Sequence, residues 1–200
     1  MKKLILVLFS FIFILKISYA NTYSSDPEMF VSELVNDAIS KLSDKNLSEE
    51  AKTTFIENIA LENVDINALG LYTLGELRKS TDKNNLESYQ KAFKKYFLKS
   101  LTSRLSDYSS NKFEIISAEK KSSNYTIVKS KISENEKQPE IKIDWRIYTK
   151  NPQKPLIRDL IVEGLSLART QKEEFSSILN SNNNDINVLI AKLNEFAGKD

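Results

Sequence analysis

The chain of 200 residues contains no cysteine and no histidine. Without thiols there is no disulfide framework, no cysteine-based zinc site and no thiolate nucleophile. Without imidazole there is no Ser-His-Asp triad and no histidine base. Glycine and proline are scarce, with 4 of each. Gly70, Gly75, Gly164 and Gly198 stand at no spacing that would cradle a phosphate, so nucleotide chemistry has no motif to rest on. What remains suits one folded domain: 40% hydrophobic residues, among them 10 Phe and 8 Tyr, and 28% charged residues of both signs.

The one long apolar run lies at the N-terminus. Lys2 and Lys3 precede an apolar stretch over residues 4–15 that is interrupted only by Ser10, and Ser18-Tyr19-Ala20 offers small residues to a peptidase. Residues 1–20 therefore read as a cleavable secretory signal, too short to span a bilayer, which takes about 20 apolar residues. Cleavage takes away Lys2, Lys3 and Lys16 and no acidic residue, which turns a net charge of +2 into −1. A nucleic-acid partner, which needs a basic footprint, loses its support. Residues 21–200 read as a single exported domain.

Periodicity divides that domain into helices, then strands, then helices. Asp26-Pro27 and Ser48-Glu49-Glu50 are helix starts, a short acceptor side chain standing before the first turn, and Asp65 opens a third helix. Phe30, Leu34, Ala38 and Leu42 recur along one face of the first. Over residues 82–107, Leu86, Tyr89, Phe93, Phe97, Leu101 and Leu105 make an aromatic-rich stripe, with Lys91, Lys94, Lys95 and Lys99 opposite as a solvated basic face. The period then becomes two. Residues 112–120, 124–133, 140–148 and 156–163 read as four strands of an antiparallel meander. In the third, Ile141, Ile143, Trp145 and Ile147 face one way, while Glu140, Lys142, Asp144 and Arg146 face the other. Helical spacing returns over residues 170–179 and again from Ile186 to Phe196. The expected fold is α+β, a curved antiparallel sheet of about four strands packed against several helices, of the NTF2-like or cystatin-like kind.

Few residues offer chemistry. Gly164-Leu165-Ser166-Leu167-Ala168 falls one glycine short of a nucleophile elbow, and Ser166 reads as a helix cap. Asp159 and Glu163 interrupt an apolar strand, so each either faces a partner or anchors a turn.

The segment Val162-Glu163-Gly164-Leu165-Ser166-Leu167-Ala168, with Thr170-Gln171-Lys172 and Glu174-Phe175-Ser176-Ser177-Ile178-Leu179 after it, resembles the signature of the MlaC-like periplasmic phospholipid carriers, also called toluene-tolerance auxiliary proteins. Leu34-Val35-Asn36-Asp37-Ala38-Ile39-Ser40, Leu74-Gly75-Glu76-Leu77-Arg78-Lys79-Ser80-Thr81, Leu105-Ser106-Asp107-Tyr108 and Ile143-Asp144-Trp145-Arg146 add to the resemblance in order. It implies a Gram-negative periplasmic protein with an apolar pocket, phospholipid as cargo and no cofactor. It also implies two partners, an outer-membrane lipoprotein–porin complex and an inner-membrane ABC transporter with a lipid-binding ring subunit. The pocket walls expected from it are Ile141, Ile143, Trp145 and Ile147 on the third strand, Leu160 and Val162 on the fourth, Phe93, Phe97 and Leu101 on the long helix, and Leu165 beside the exit strand. Two rivals stand beside this reading: a small-molecule enzyme working through Asp159 and Tyr125, and a ligand-free periplasmic adaptor.

Overall fold

The computed structural model describes residues 23–105, 112–133 and 139–198. The signal expected over residues 1–20, Ser106-Asp107-Tyr108 and most of the turn before the third strand lie outside them.

The described residues form α1 (Pro27–Leu42), α2 (Glu49–Asn63), α3 (Ile66–Thr73), a 3-10 turn (Gly75–Lys79), α4 (Lys83–Leu105), β1 (Lys112–Ser122), β2 (Tyr125–Ser133), β3 (Ile141–Tyr148), β4 (Leu156–Val162), β5 (Leu165–Ser166), α5 (Leu167–Asn180) and α6 (Ile186–Ala197). Each α-helix opens on a side-chain acceptor. Asp26 takes the N–H groups of Glu28 and Met29, Ser48 that of Ala51, and Asp65 that of Ala68. Asp82 takes that of Asn85, Ser166 that of Arg169 and Asp185 that of Asn187. Each cap meets a donor the helix leaves unpaired and is worth about 1 kcal/mol. The last-but-one helix starts three residues before the expected Thr170, because Ser166 caps it there.

The sheet runs β1-β2-β3-β4-β5, every neighbouring pair antiparallel. The four expected strands are joined by a fifth of two residues, whose Leu165 pairs with Val162 and Ser166 with Ile161. Between them Glu163 and Gly164, at φ 49° and 81°, make the two-residue loop that suits a right-twisted hairpin. Glu163 is held in this unfavourable backbone region by Lys142, whose N–H donates to its carboxylate and whose carbonyl accepts its N–H at 3.0 Å. Glu163 thus anchors a turn.

Two hydrophobic clusters result. In one, α1 lays Phe30, Val31, Leu34 and Val35 on Val128, Trp145, Ile147 and Ile157 of the sheet. In the other, α3, α4, α5 and α6 bury Ile66, Tyr89, Phe93, Phe175, Leu179, Leu189 and Leu193 among themselves. Tyr89 is fully buried, its hydroxyl donating to the Gly70 carbonyl at 3.1 Å and lying 2.9 Å from the Thr73 hydroxyl. That burial holds its phenol well above the ordinary range. Val64 packs against both clusters, and next to it the layers are tied together. Asp65 donates its N–H to the Ile157 carbonyl at 2.9 Å, and its carboxylate takes both Nε and Nη2 of Arg158, at 2.9 and 2.8 Å.

Candidate functional site

The register of the strands arranges the apolar face of the sheet in rows that cross it. Outermost is Phe113–Ile132–Ile141. Next comes Ile115–Ser130–Ile143–Val162–Leu165, one residue from each strand. Further in lies Ala118–Val128–Trp145–Leu160, and then Thr126–Ile147–Ile157. Alternation, together with the register shifts after Ile115 in β1 and after Arg146 in the β3–β4 pair, puts the members of these rows on one side.

Exposure varies across the face: in the outer two rows Ile132 and Ser130 are buried, whereas Ala118 in the row further in is exposed. Ile147 and Val128 are fully buried and Trp145 nearly so, whereas Ile143, Leu160 and Val162 are half-buried, Ile141 is 42% exposed and Leu165 is 61% exposed. Val128, Trp145, Ile147 and Ile157 are sealed in a cluster with α1, and in the outer two rows the members on β3, β4 and β5, Ile141, Ile143, Val162 and Leu165, are left partly bare. Trp145 can be buried there because its indole N–H donates to the Ser130 hydroxyl at 2.8 Å, and that hydroxyl in turn donates to the Ile143 carbonyl at 3.1 Å. No polar atom of the pair faces the strip unpaired, so the outer rows form a half-open apolar trough.

The residues expected to line a pocket are thus divided three ways. Ile141, Ile143, Leu160, Val162 and Leu165 are brought together on the trough. Trp145 and Ile147 share their face but sit beneath α1 as ordinary core. Phe93 and Phe97 are elsewhere, in the helical cluster, with Phe93 against Tyr89, Tyr96, Phe97 and Phe175 at ring-centroid distances of 6.0–6.5 Å. Leu101 is half-buried in the last turns of α4 and belongs to neither cluster. The aromatic stripe of α4 packs on α3, α5 and α6. Phe113, Ile115 and Ile132 complete the outer rows and escaped notice, although the period-two spacing of Phe113 and Ile115 was a usable signal.

The polar groups near the strip do structural work. Asp159 is 6% exposed on the opposite side of β4, and its carboxylate accepts from the Ser166 hydroxyl at 2.6 Å and from the Ala168 N–H at 3.0 Å, with Arg146 Nη1 at 3.4 Å. It fastens the start of α5, where the helix dipole favours an anion, to the sheet. Two surface hollows have volumes of 360 and 560 Å³. The first is on the wet face over Lys129, Asp144 and Ile161, and the second lies between Tyr72 and the Arg169, Lys172 and Ser176 side of α5. Among the described residues no group of acidic side chains is placed to hold a metal ion.

An antiparallel sheet backed by helices, with part of its apolar face half-buried or exposed, defines an α+β protein. The chain belongs to the MlaC protein family, whose model matches residues 32–195. Among curated proteins none matches at a significant level. Among solved structures, 7 chains match. One is the phospholipid-binding protein from Ralstonia solanacearum in complex with a phospholipid, with a TM-score of 0.68 and 16% sequence identity over 84% of this chain and 94% of that one. At that identity the likeness establishes a shared fold.

Proposed function

We propose that this chain is a phospholipid carrier of the Gram-negative periplasm, exported by residues 1–20. In this reading it shuttles lipid between an outer-membrane lipoprotein–porin complex and an inner-membrane ABC transporter with a lipid-binding ring subunit. The observation that carries the reading is family membership over residues 32–195, joined to a half-open apolar trough on the sheet. The fold shared with a phospholipid-bound protein supports it further.

The physical task is shelter. Two acyl chains bring about 30 methylenes, worth about 25 kcal/mol of water avoidance. A carrier need not exceed the bilayer in affinity; it must match its apolarity, so that transfer lies near balance and the partners set direction. Ile143, Leu160 and Val162 supply acyl contacts in the trough. A binding role is favoured over the enzyme reading because Asp159, the carboxylate that reading needs, is engaged by Ser166, Ala168 and Arg146.

Organic extraction and mass spectrometry of the purified protein test the proposal. One phospholipid per chain is the expected result. A chain recovered free of lipid, which also takes none from vesicles in the presence of its membrane partners, would overturn it.

A further inference from the structure

The start of α5 presents two leucines to water in a way the protein enforces. Leu165 is 61% and Leu167 48% exposed, while Ser166 and Ala168, which alternate with them, are each only 8% exposed. A single exposed leucine is ordinary. Here the inward residues are pinned: the Ser166 hydroxyl and the Ala168 N–H both donate to the buried Asp159 carboxylate, and the Arg169 N–H donates to Ser166 Oγ at 3.1 Å. On the other side the segment is fixed by the Glu163-Gly164 loop and its two bonds to Lys142. Turning either leucine inward would strip Asp159 of its donors in a buried setting, which costs more than burying one side chain gains.

We propose that the β4–β5 loop and the first turn of α5 form a finger whose apolar tip, Leu165 and Leu167, dips into the surface of a phospholipid bilayer. The inference rests on the carrier reading above and names what the open end of the trough meets. Continuity supports a bilayer as the occupant. Leu165 ends the row Ile143–Val162–Leu165, so an acyl chain leaving the sheet stays on apolar surface as far as the finger. Charge points the same way. Residues 163–169 carry one charge of each sign, Glu163 and Arg169, and Arg169 lies 3.7 Å from Glu173. A rim without net charge offers no steering to an acidic or a basic protein surface, and its attraction is apolar.

The absence of cysteine makes the test direct. In the full chain, Leu167→Cys carries one environment-sensitive fluorophore, and Gln153→Cys, in the loop at the other end of β4, carries the control. With phosphatidylcholine vesicles the label at 167 brightens and shifts to the blue, equally at low and high salt, and the label at 153 does not respond. The Leu165→Ser/Leu167→Ser double variant passes a loaded fluorescent phospholipid to the same vesicles about tenfold more slowly than the unaltered chain. A label at 167 that stays water-like with vesicles, or one that answers only to a protein partner, would overturn the finger. So would equal responses at both positions. A chain that loads no phospholipid defeats the carrier reading, and the label at 167 still decides the finger on its own.

Discussion

The two ends of the apolar sheet face share one side-chain alternation and differ in what lies over them. At the inner end, Val128, Trp145, Ile147 and Ile157 meet Phe30, Val31, Leu34 and Val35 of α1 and are sealed. At the outer end, Ile141, Ile143, Val162 and Leu165 continue the same face and remain partly bare, with Ile143 packing against the edge of that cluster. An apolar row is core or binding surface according to the helix above it, and not according to its own composition. The sharpest way to test the division is to delete matching side chains at the two ends. Ile147, with no exposure at all, leaves a cavity when cut to alanine. Ile147→Ala is expected to cost about 3–4 kcal/mol in urea unfolding, with lipid occupancy following the folded fraction. A cost below about 1 kcal/mol would show that α1 does not seal the inner rows.

Asp159 tests the boundary from the other side of the sheet. Asp159→Ala leaves the Ser166 hydroxyl and the Ala168 N–H without an acceptor in a buried place, and the expected loss is about 2–3 kcal/mol. Asp159→Asn keeps one acceptor oxygen and should recover about half of it. Equal losses in the two variants would mean that charge near Arg146, rather than the pair of hydrogen bonds, is what the carboxylate supplies.

What was legible in the sequence follows the same line between local and distant causes. The helix starts at Asp26, Ser48 and Asp65 and the cap at Ser166 rest on bonds to N–H groups two or three residues away, so the local string suffices. The face of β3 was legible because strand geometry alternates regardless of context. The partner of each apolar face was not. Phe93 and Trp145 look alike as candidate walls, yet one packs among helices and the other under α1, a choice made by chain connections far away in sequence. The strand Leu165–Ser166 is too short to have a period, and only its pairing with Ile161 and Val162 defines it. Membership of the trough could be narrowed to one face from the sequence, but which part of that face stays bare depends on packing by elements distant in the chain.

A charge placed on the outer rows separates lipid binding from folding. Val162 is half-buried between Ile143 and Leu165. A carboxylate there reaches water while the site is open and is trapped against acyl chains when lipid is bound. Val162→Glu is expected to lower bound phospholipid by at least about tenfold, while urea stability falls by less than about 1 kcal/mol. Normal lipid content in this variant would remove β4 from the site and leave the trough without a ligand role.

The smallest expected effect gives the comparison its finest edge. Ile141 sits in the outermost row, 42% exposed, opposite the buried Ile132 and outside both hydrophobic clusters. Truncation to serine removes apolar area that folding has only partly taken from water and leaves no enclosed cavity. Ile141→Ser should therefore change urea stability by less than about 0.5 kcal/mol, far below the deletion at Ile147 on the same strand and face. Its position over the trough still predicts a modest, twofold to fivefold fall in lipid retention, about 0.4–1 kcal/mol, because an acyl chain crossing that row would exchange an apolar neighbour for a hydroxyl. A stability loss comparable to that of Ile147→Ala would mean that the outer rows are core after all, and that the face is sealed along its whole length.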